Sequence, residues 1–96
     1  MIRFSSINND REFCLAYNNV KRFPNQIHKI AYLKLLIIDG AEQLEDLRVP
    51  TGNSLEKLSD NLSGKYSIRI NNQWRIIFSW KENNAYEVVI IDYHKG

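Results

Sequence analysis

Lys65-Tyr66-Ser67-Ile68-Arg69-Ile70-Asn71-Asn72-Gln73-Trp74-Arg75-Ile76-Ile77-Phe78-Ser79-Trp80 alternates apolar and polar residues on both sides of an Asn-Asn-Gln interruption. Side chains alternate faces along a strand. Tyr66, Ile68 and Ile70 therefore share one face of a first arm, and Trp74, Ile76, Phe78 and Trp80 share one face of a second. A two-residue loop at Asn71-Asn72 would turn these two apolar sets to opposite faces. A three-residue loop, Asn71-Asn72-Gln73, makes them coincide, pairing Ile70 with Trp74 and Arg69 with Arg75. Such a loop is expected to need one left-handed residue, which Asn tolerates. The register that buries the core thus sets two arginines side by side on the other face. Guanidiniums directly opposite one another repel, so a compensating anion is expected. The plain alternative is two exposed arginines on a solvated face.

The rest of the chain supplies the partners of this hairpin. Residues 1–5 read as a short strand. Asn9 or Asp10 can cap a helix carrying Phe13, Ala16, Tyr17 and Val20 near one face. Pro24 suits the first turn of a second helix. Its apolar stripe is Ile27, Ile30, Ala31, Leu35 and Ile38, widened by Leu33 and Ile37, with Gly40 ending or bending it. Ala41, Leu44 and Leu47 suggest a further turn or two, and residues 49–53 have turn composition. Leu55 and Leu58 tuck a short segment under the sheet. Strands are expected over about 64–70, 74–81 and 86–93, the last two joined by a turn at Glu82-Asn83-Asn84. Val88-Val89-Ile90-Ile91 has no alternation, which predicts a central strand covered on both faces. The order is that of an α+β domain: a short N-terminal strand and two helices on a mainly antiparallel sheet.

Composition limits the possibilities. The 96 residues, 44% of them hydrophobic, suit a single domain spanning 1–96. No apolar run is long enough for a membrane span. Met1-Ile2-Arg3-Phe4 leads into polar residues without a secretory pattern, and Cys14 is the one cysteine, so a cytoplasmic protein is expected. His28 and His94 lie far apart with no ligand spacing around them, so neither a metal nor another cofactor is expected. The net charge of +2 excludes a general nucleic-acid coat. Residues 1–38 nevertheless hold six Lys or Arg against Asp10 and Glu12, while residues 39–56 are acidic save for Arg48. Lys21, Arg22 and Lys29 suit RNA contact and ordinary helix solvation equally. Cys14 is expected on a helix as a small buried or half-buried side chain, His28 facing solvent, and Trp74 and Trp80 in the core.

The terminal Asp92-Tyr93-His94 adds chemistry to the arginine face. Arginine, tyrosine and histidine on one sheet face can hold and cleave an RNA phosphodiester without a metal. Fixed guanidiniums stabilise charge on the phosphoryl oxygens. Histidine is the side chain suited to proton transfer near neutral pH, so His94 can serve as either base or acid. Tyr93 suits proton donation or stacking on a base. Being consecutive, the two point to opposite faces of a regular strand, so either the chain end leaves the strand or only one of them reaches the arginines. The other reading makes Tyr93 a rim aromatic and His94 a frayed terminal residue.

Asp46-Leu47-Arg48, Pro50, Gly52-Asn53, Leu55, Leu58, Gly64, Ser67-Ile68-Arg69, Trp74-Arg75 and Asp92-Tyr93-His94 together resemble the HigB branch of the RelE-type toxins, with Met1-Ile2-Arg3 also fitting. The resemblance implies a toxin of a type II toxin–antitoxin system: an endoribonuclease that cleaves mRNA on the translating ribosome. It implies a helix-turn-helix antitoxin as partner, with DNA reached only through that antitoxin. Arg69, Arg75, Tyr93 and His94 carry over as catalytic residues. Many relatives have His where this chain has Glu56, and Lys where it has Ser59. Glu56 is then a candidate carboxylate base. Lys57 and Lys65 are candidate RNA contacts, although Lys57 points away from its neighbour Glu56 on any regular element. A non-catalytic RNA- or protein-binding module of the same fold is the competing expectation.

Overall fold

The computed structural model describes residues 2–3, 20–49, 51–59 and 64–92. Their elements are β1 (Ile2–Arg3), α1 (Asn25–Gly40), β2 (Glu56–Lys57), β3 (Lys65–Arg69), β4 (Trp74–Lys81) and β5 (Asn84–Asp92). Single 3₁₀ turns at Val20–Arg22, Leu44–Arg48 and Thr51–Asn53 connect them. The sheet runs β1-β5-β4-β3-β2, antiparallel throughout except for β1, which lies parallel to β5. A helix on a mainly antiparallel sheet is the expected α+β architecture. The earlier expected helix, with Phe13, Cys14, Ala16 and Tyr17, lies outside the described residues.

The β3–β4 hairpin has the three-residue register. Ile68 pairs with Ile76, Arg69 with Arg75, and the Ile70 amide donates to the Trp74 carbonyl at 2.9 Å. The loop differs from expectation in one respect: none of Asn71, Asn72 and Gln73 has a positive φ. The Asn71 side chain closes the turn instead, its Oδ1 accepting from the amides of Gln73 and Trp74 at 2.8 Å each. An Asx-type turn substitutes for the left-handed residue.

Helix α1 lies across one face of this sheet. Its buried residues Ile27, Ala31, Leu35 and Ile38 follow helical spacing and pack with Ile68, Ile70, Ile76, Phe78, Ala85 and Val88. Phe23, just ahead of the helix, meets Trp74 edge-on at 5.2 Å between ring centres. Trp74 and Trp80 are half-buried against the core, as expected. Ile30 and Leu33 were expected in the buried stripe but lie exposed, Leu33 by 54%. They sit round the helix from the contact face, and Lys34 occupies the buried position between Ala31 and Ile38. Pro24 stands one residue before the helix in extended backbone, and not in its first turn. His28 does not face solvent freely: it is half-buried, with Nε2 2.6 Å from the Phe23 carbonyl. Leu58 is buried, but the segment before it is a paired edge strand, with Glu56 opposite Ser67 and Lys57 opposite Tyr66.

β5 overturns one expectation. Val89 is 50% exposed, so the strand is not covered on both faces. Ile77 pairs with Val89 while Ser79 pairs with Tyr86, so β5 carries one extra residue there. Glu87, at φ +52°, forms the bulge. It restores Val88 and Ile90 to the helix-facing side and leaves Val89 and Ile91 on the other. The missing alternation therefore marks a change of phase between two apolar rows. The β4–β5 turn needs only Glu82 and Asn83, both left-handed as a two-residue hairpin requires.

Candidate functional site

The face of the sheet away from α1 carries Lys65, Ser67 and Arg69 from β3, Arg75, Ile77 and Ser79 from β4, and Glu56 from β2, a grouping fixed by the ladder registers. At its loop end, Ser54, Leu55, Glu56, Arg69, Asn71, Asn72 and Arg75 line an open cleft of about 390 Å³. The sequence placed the two arginines together, and here they are directly opposite across the ladder.

Their environments differ. Arg75 is only 7% exposed. Its Nε donates to the Ser67 hydroxyl at 2.8 Å, and its Nη2 donates to the Ser54 carbonyl at 2.5 Å. The same Nη2 lies 3.4 Å from the Ser67 carbonyl and 3.3 Å from Glu56 Oε1. Arg69 is half-exposed and donates through Nη2 to Asn72 Oδ1 in the adjoining loop. One guanidinium is thus a buried fork, and the other reaches over the cleft, where among the described residues it donates to the neutral Asn72 amide oxygen. Glu56 is the compensating anion that two opposed arginines required. Its side chain is 52% exposed, so the ion pair is open to solvent on one side.

Ser67, Ser54 and Asn72 were not singled out as site residues. For Ser67 the signal was available. The three-residue register puts it opposite Ile77 and diagonal to Arg75, within reach of a long side chain. The Ser54 carbonyl had no such signal, because it is aimed by a left-handed backbone at φ +46°.

The candidate lysines separate. Lys57 pairs with Tyr66, on the opposite face of β2 from Glu56, and is exposed outside the cleft. Lys65 shares the arginine face but sits four residues along β3, roughly 13 Å away at strand rise. It donates to Ser79 Oγ at 3.1 Å and lies 3.6 Å from Glu87 Oε1, beside another cleft of about 400 Å³ lined by Ser79, Lys81, Glu82, Tyr86 and Glu87. Tyr93 and His94 lie outside the described residues. Asp92, which precedes them, ends β5 opposite Trp74, one ladder step from the Arg75–Ile91 pair, and accepts from Gln73 Nε2 at 3.0 Å. Among the described residues no three His, Cys, Asp or Glu side chains group as metal ligands, and no helix is long and apolar enough to cross a membrane.

Comparisons with known proteins identify the family and the fold. Residues 5–94 match the family model for the RelE-like toxin of the type II toxin–antitoxin system HigB. Toxin HigB-1 of Vibrio cholerae is 42% identical over 82 residues, covering 82% of this chain and 85% of that protein. An uncharacterised protein of Haemophilus influenzae is 37% identical over 73 residues, covering 76% and 71%. Among solved structures, the YoeB–YefM complex from Staphylococcus aureus superposes with a TM-score of 0.59 at 24% identity, covering 99% of this chain and 97% of that one. The YoeB dimer from the same organism gives 0.55 at 26%, covering 98% and 95%. The chain belongs to the HigB-like toxins, RelE-like toxins of type II toxin–antitoxin systems.

Proposed function

We propose that this toxin is an endoribonuclease that cleaves mRNA on the translating ribosome, and that the Arg69–Arg75 cleft is where it acts. The observation that carries the reading is the placement of two guanidiniums on one open cleft, one buried and fixed, the other half-exposed at its edge. In the proposed step the RNA 2′-hydroxyl attacks the adjacent phosphorus in line. The bond to the 5′-oxygen breaks, giving a 2′,3′-cyclic phosphate and a 5′-hydroxyl. Charge grows on the non-bridging oxygens, where Arg69 donates. Arg75 adds a positive field and keeps Glu56 at the cleft edge. Glu56 is the candidate base for the 2′ proton, and His94 the candidate acid for the leaving oxygen. Tyr93 is assigned to stacking or to proton donation. Lys65 is assigned to the RNA strand farther along the face, and Lys57 to contacts outside the cleft. No step requires a metal.

The partner proposed is a helix-turn-helix antitoxin, through which alone the pair would meet DNA. A structural neighbour with a TM-score of 0.58 is a heterotetrameric YoeB–YefM toxin–antitoxin complex, which supports a protein partner of that kind. A second reading, a non-catalytic RNA-binding module, is favoured by one observation: Glu56 and Arg75 already engage each other at 3.3 Å. Incubating the purified chain with translating ribosomes, followed by mapping of RNA 5′ ends, separates the two. Cleavage lost in Arg69→Ala supports the nuclease. Binding to ribosomes without any cleavage supports the module.

A further inference from the structure

Two buried polar side chains behind the cleft take no part in the step just described. Lys34 of α1 is 9% exposed, and Asn53 is fully buried. Lys34 Nζ donates to Asn53 Oδ1. Asn53 Nδ2 donates in turn to the Leu47 carbonyl at 3.2 Å and to the Val49 carbonyl at 3.4 Å. The orientation of this amide is dictated by chemistry: an ammonium only donates and a carbonyl only accepts, so oxygen must face Lys34 and nitrogen the loop. One side chain therefore ties the helix to the backbone at Leu47 and Val49.

The next residue is Ser54. It is held at φ +46°, a conformation that side-chain-bearing residues avoid. Its carbonyl accepts from Arg75 Nη2 at 2.5 Å, and Glu56 follows two residues on. Backbone strain of this kind persists only where the surroundings over-determine it. The surroundings here are Asn53 on one side and Arg75 on the other. A buried lysine in a small core also carries a desolvation cost, which lowers its pKa below the ordinary lysine value. An apolar residue at position 34 would fill the same helix face without that cost.

We infer that Lys34 and Asn53 are positioning residues for the cleft. They hold the Ser54 peptide so that its carbonyl fixes the Arg75 fork, and with it the place of Glu56. In the resting fold the chain of bonds runs from α1 through Asn53 and Ser54 to Arg75, opposite Arg69. The inference rests on the nuclease reading only for its effect on cleavage; the mechanical link stands without it.

The test uses the full chain and two readouts. The first is solvent exchange of the Arg75 side-chain NεH and NηH protons by NMR, which reports the fork directly. The second is single-turnover mRNA cleavage on ribosomes. Lys34→Met keeps the length of the side chain and removes the donor. Asn53→Asp keeps the acceptor for Lys34 and removes the amide protons given to Leu47 and Val49; it decides the question if Lys34→Met does not fold. Val88→Ala, a core truncation on β5 away from the cleft, serves as the control for lost stability alone. The expected result is at least tenfold faster Arg75 exchange in the position-34 and position-53 variants, with the cleavage rate down tenfold or more and substrate half-saturation little changed. Val88→Ala should leave Arg75 exchange and cleavage near wild type. Arg75 exchange unchanged in the folded variants overturns the positioning role, and so does equal acceleration in Val88→Ala. A wild-type chain that cleaves nothing, while its variants still free the Arg75 fork, sinks the nuclease reading and leaves the link standing.

Discussion

Arg69 and Arg75 face each other across the β3–β4 ladder yet are held in opposite ways. Arg75 lies inward, bonded to the Ser67 hydroxyl and the Ser54 carbonyl and paired with Glu56. Arg69 reaches outward and touches Asn72 of the adjoining loop. Sheet geometry gave them one address, and Ser54 and Glu56 closing on Arg75 gave them different duties. Substitution should therefore separate folding from function.

Arg75→Ala should destabilise the domain and Arg69→Ala should not. Removing Arg75 strands the buried Ser67 hydroxyl, and an unsatisfied buried group costs about 1–3 kcal/mol. In a domain of this size each kcal/mol moves Tm by about 4–8 °C. Thermal melts of the two variants are expected to differ by roughly 4–24 °C on that scale. Matching melting temperatures would show that the Arg75 fork adds nothing to the fold.

Arg75→Lys should recover little of that loss. A lysine carries its donor protons on one nitrogen and lacks the rigid planar fork that reaches Ser67 from Nε and Ser54 from Nη2. Ser67→Ala removes one acceptor only, leaves Nε without its 2.8 Å partner, and should cost about 1–3 kcal/mol. Chemical denaturation of the pair checks the order: Arg75→Lys above wild type in stability would contradict the bond assignment.

The hairpin register was legible because only one loop length brings Ile68, Ile70, Trp74 and Ile76 to a single face. That same constraint made the arginine pair legible, and with it the need for an anion. Which anion answered it was less clear. Glu56 reaches Arg75 through a two-residue edge strand whose pairing with Ser67 no local pattern announces. The bulge at Glu87 was hidden because Val88 to Ile91 are apolar on both faces, so a phase change leaves no trace in the pattern. Lys34 in the buried face of α1 was also illegible. A lysine amid an apolar stripe reads as solvated until the Asn53 amide is brought against it by the fold.

Lys34 gives the pH dependence a definite sign. Burial lowers its pKa in the folded state relative to the unfolded chain. Between the folded value and the ordinary one near 10.5, the unfolded chain binds more protons, so stability from this group rises with pH. Below that window both states are protonated and the full penalty of a buried ammonium is present. The stability difference between wild type and Lys34→Met should therefore shift in favour of wild type as pH is raised through the alkaline range. Urea titrations at several pH values measure it, the other lysines and tyrosines being common to both chains. A constant difference would contradict the burial of a charged Lys34.

Deleting residues 93–96 removes both terminal candidates for proton transfer while leaving Val88 and Ile90 in place. The truncated chain is expected to melt within a few degrees of wild type, to co-purify with its antitoxin and to leave growth unaffected. Tyr93→Phe, Tyr93→Ala and His94→Ala then divide the loss among hydroxyl, ring and imidazole. If the truncated chain arrests growth as the full chain does, Tyr93 and His94 are spectators and Glu56 inherits the proton transfer.

The most direct measurement is cleavage by Arg69→Ala on translating ribosomes, read by mapping mRNA 5′ ends, beside a thermal melt of the same sample. Loss of one preorganised donor at a developing oxyanion costs about 2.7–4 kcal/mol, or roughly 10²–10³ in rate. A melt within a few degrees of wild type and a cleavage rate reduced by that factor or more are expected. Full cleavage by folded Arg69→Ala would contradict that expectation and move the site away from the arginine pair.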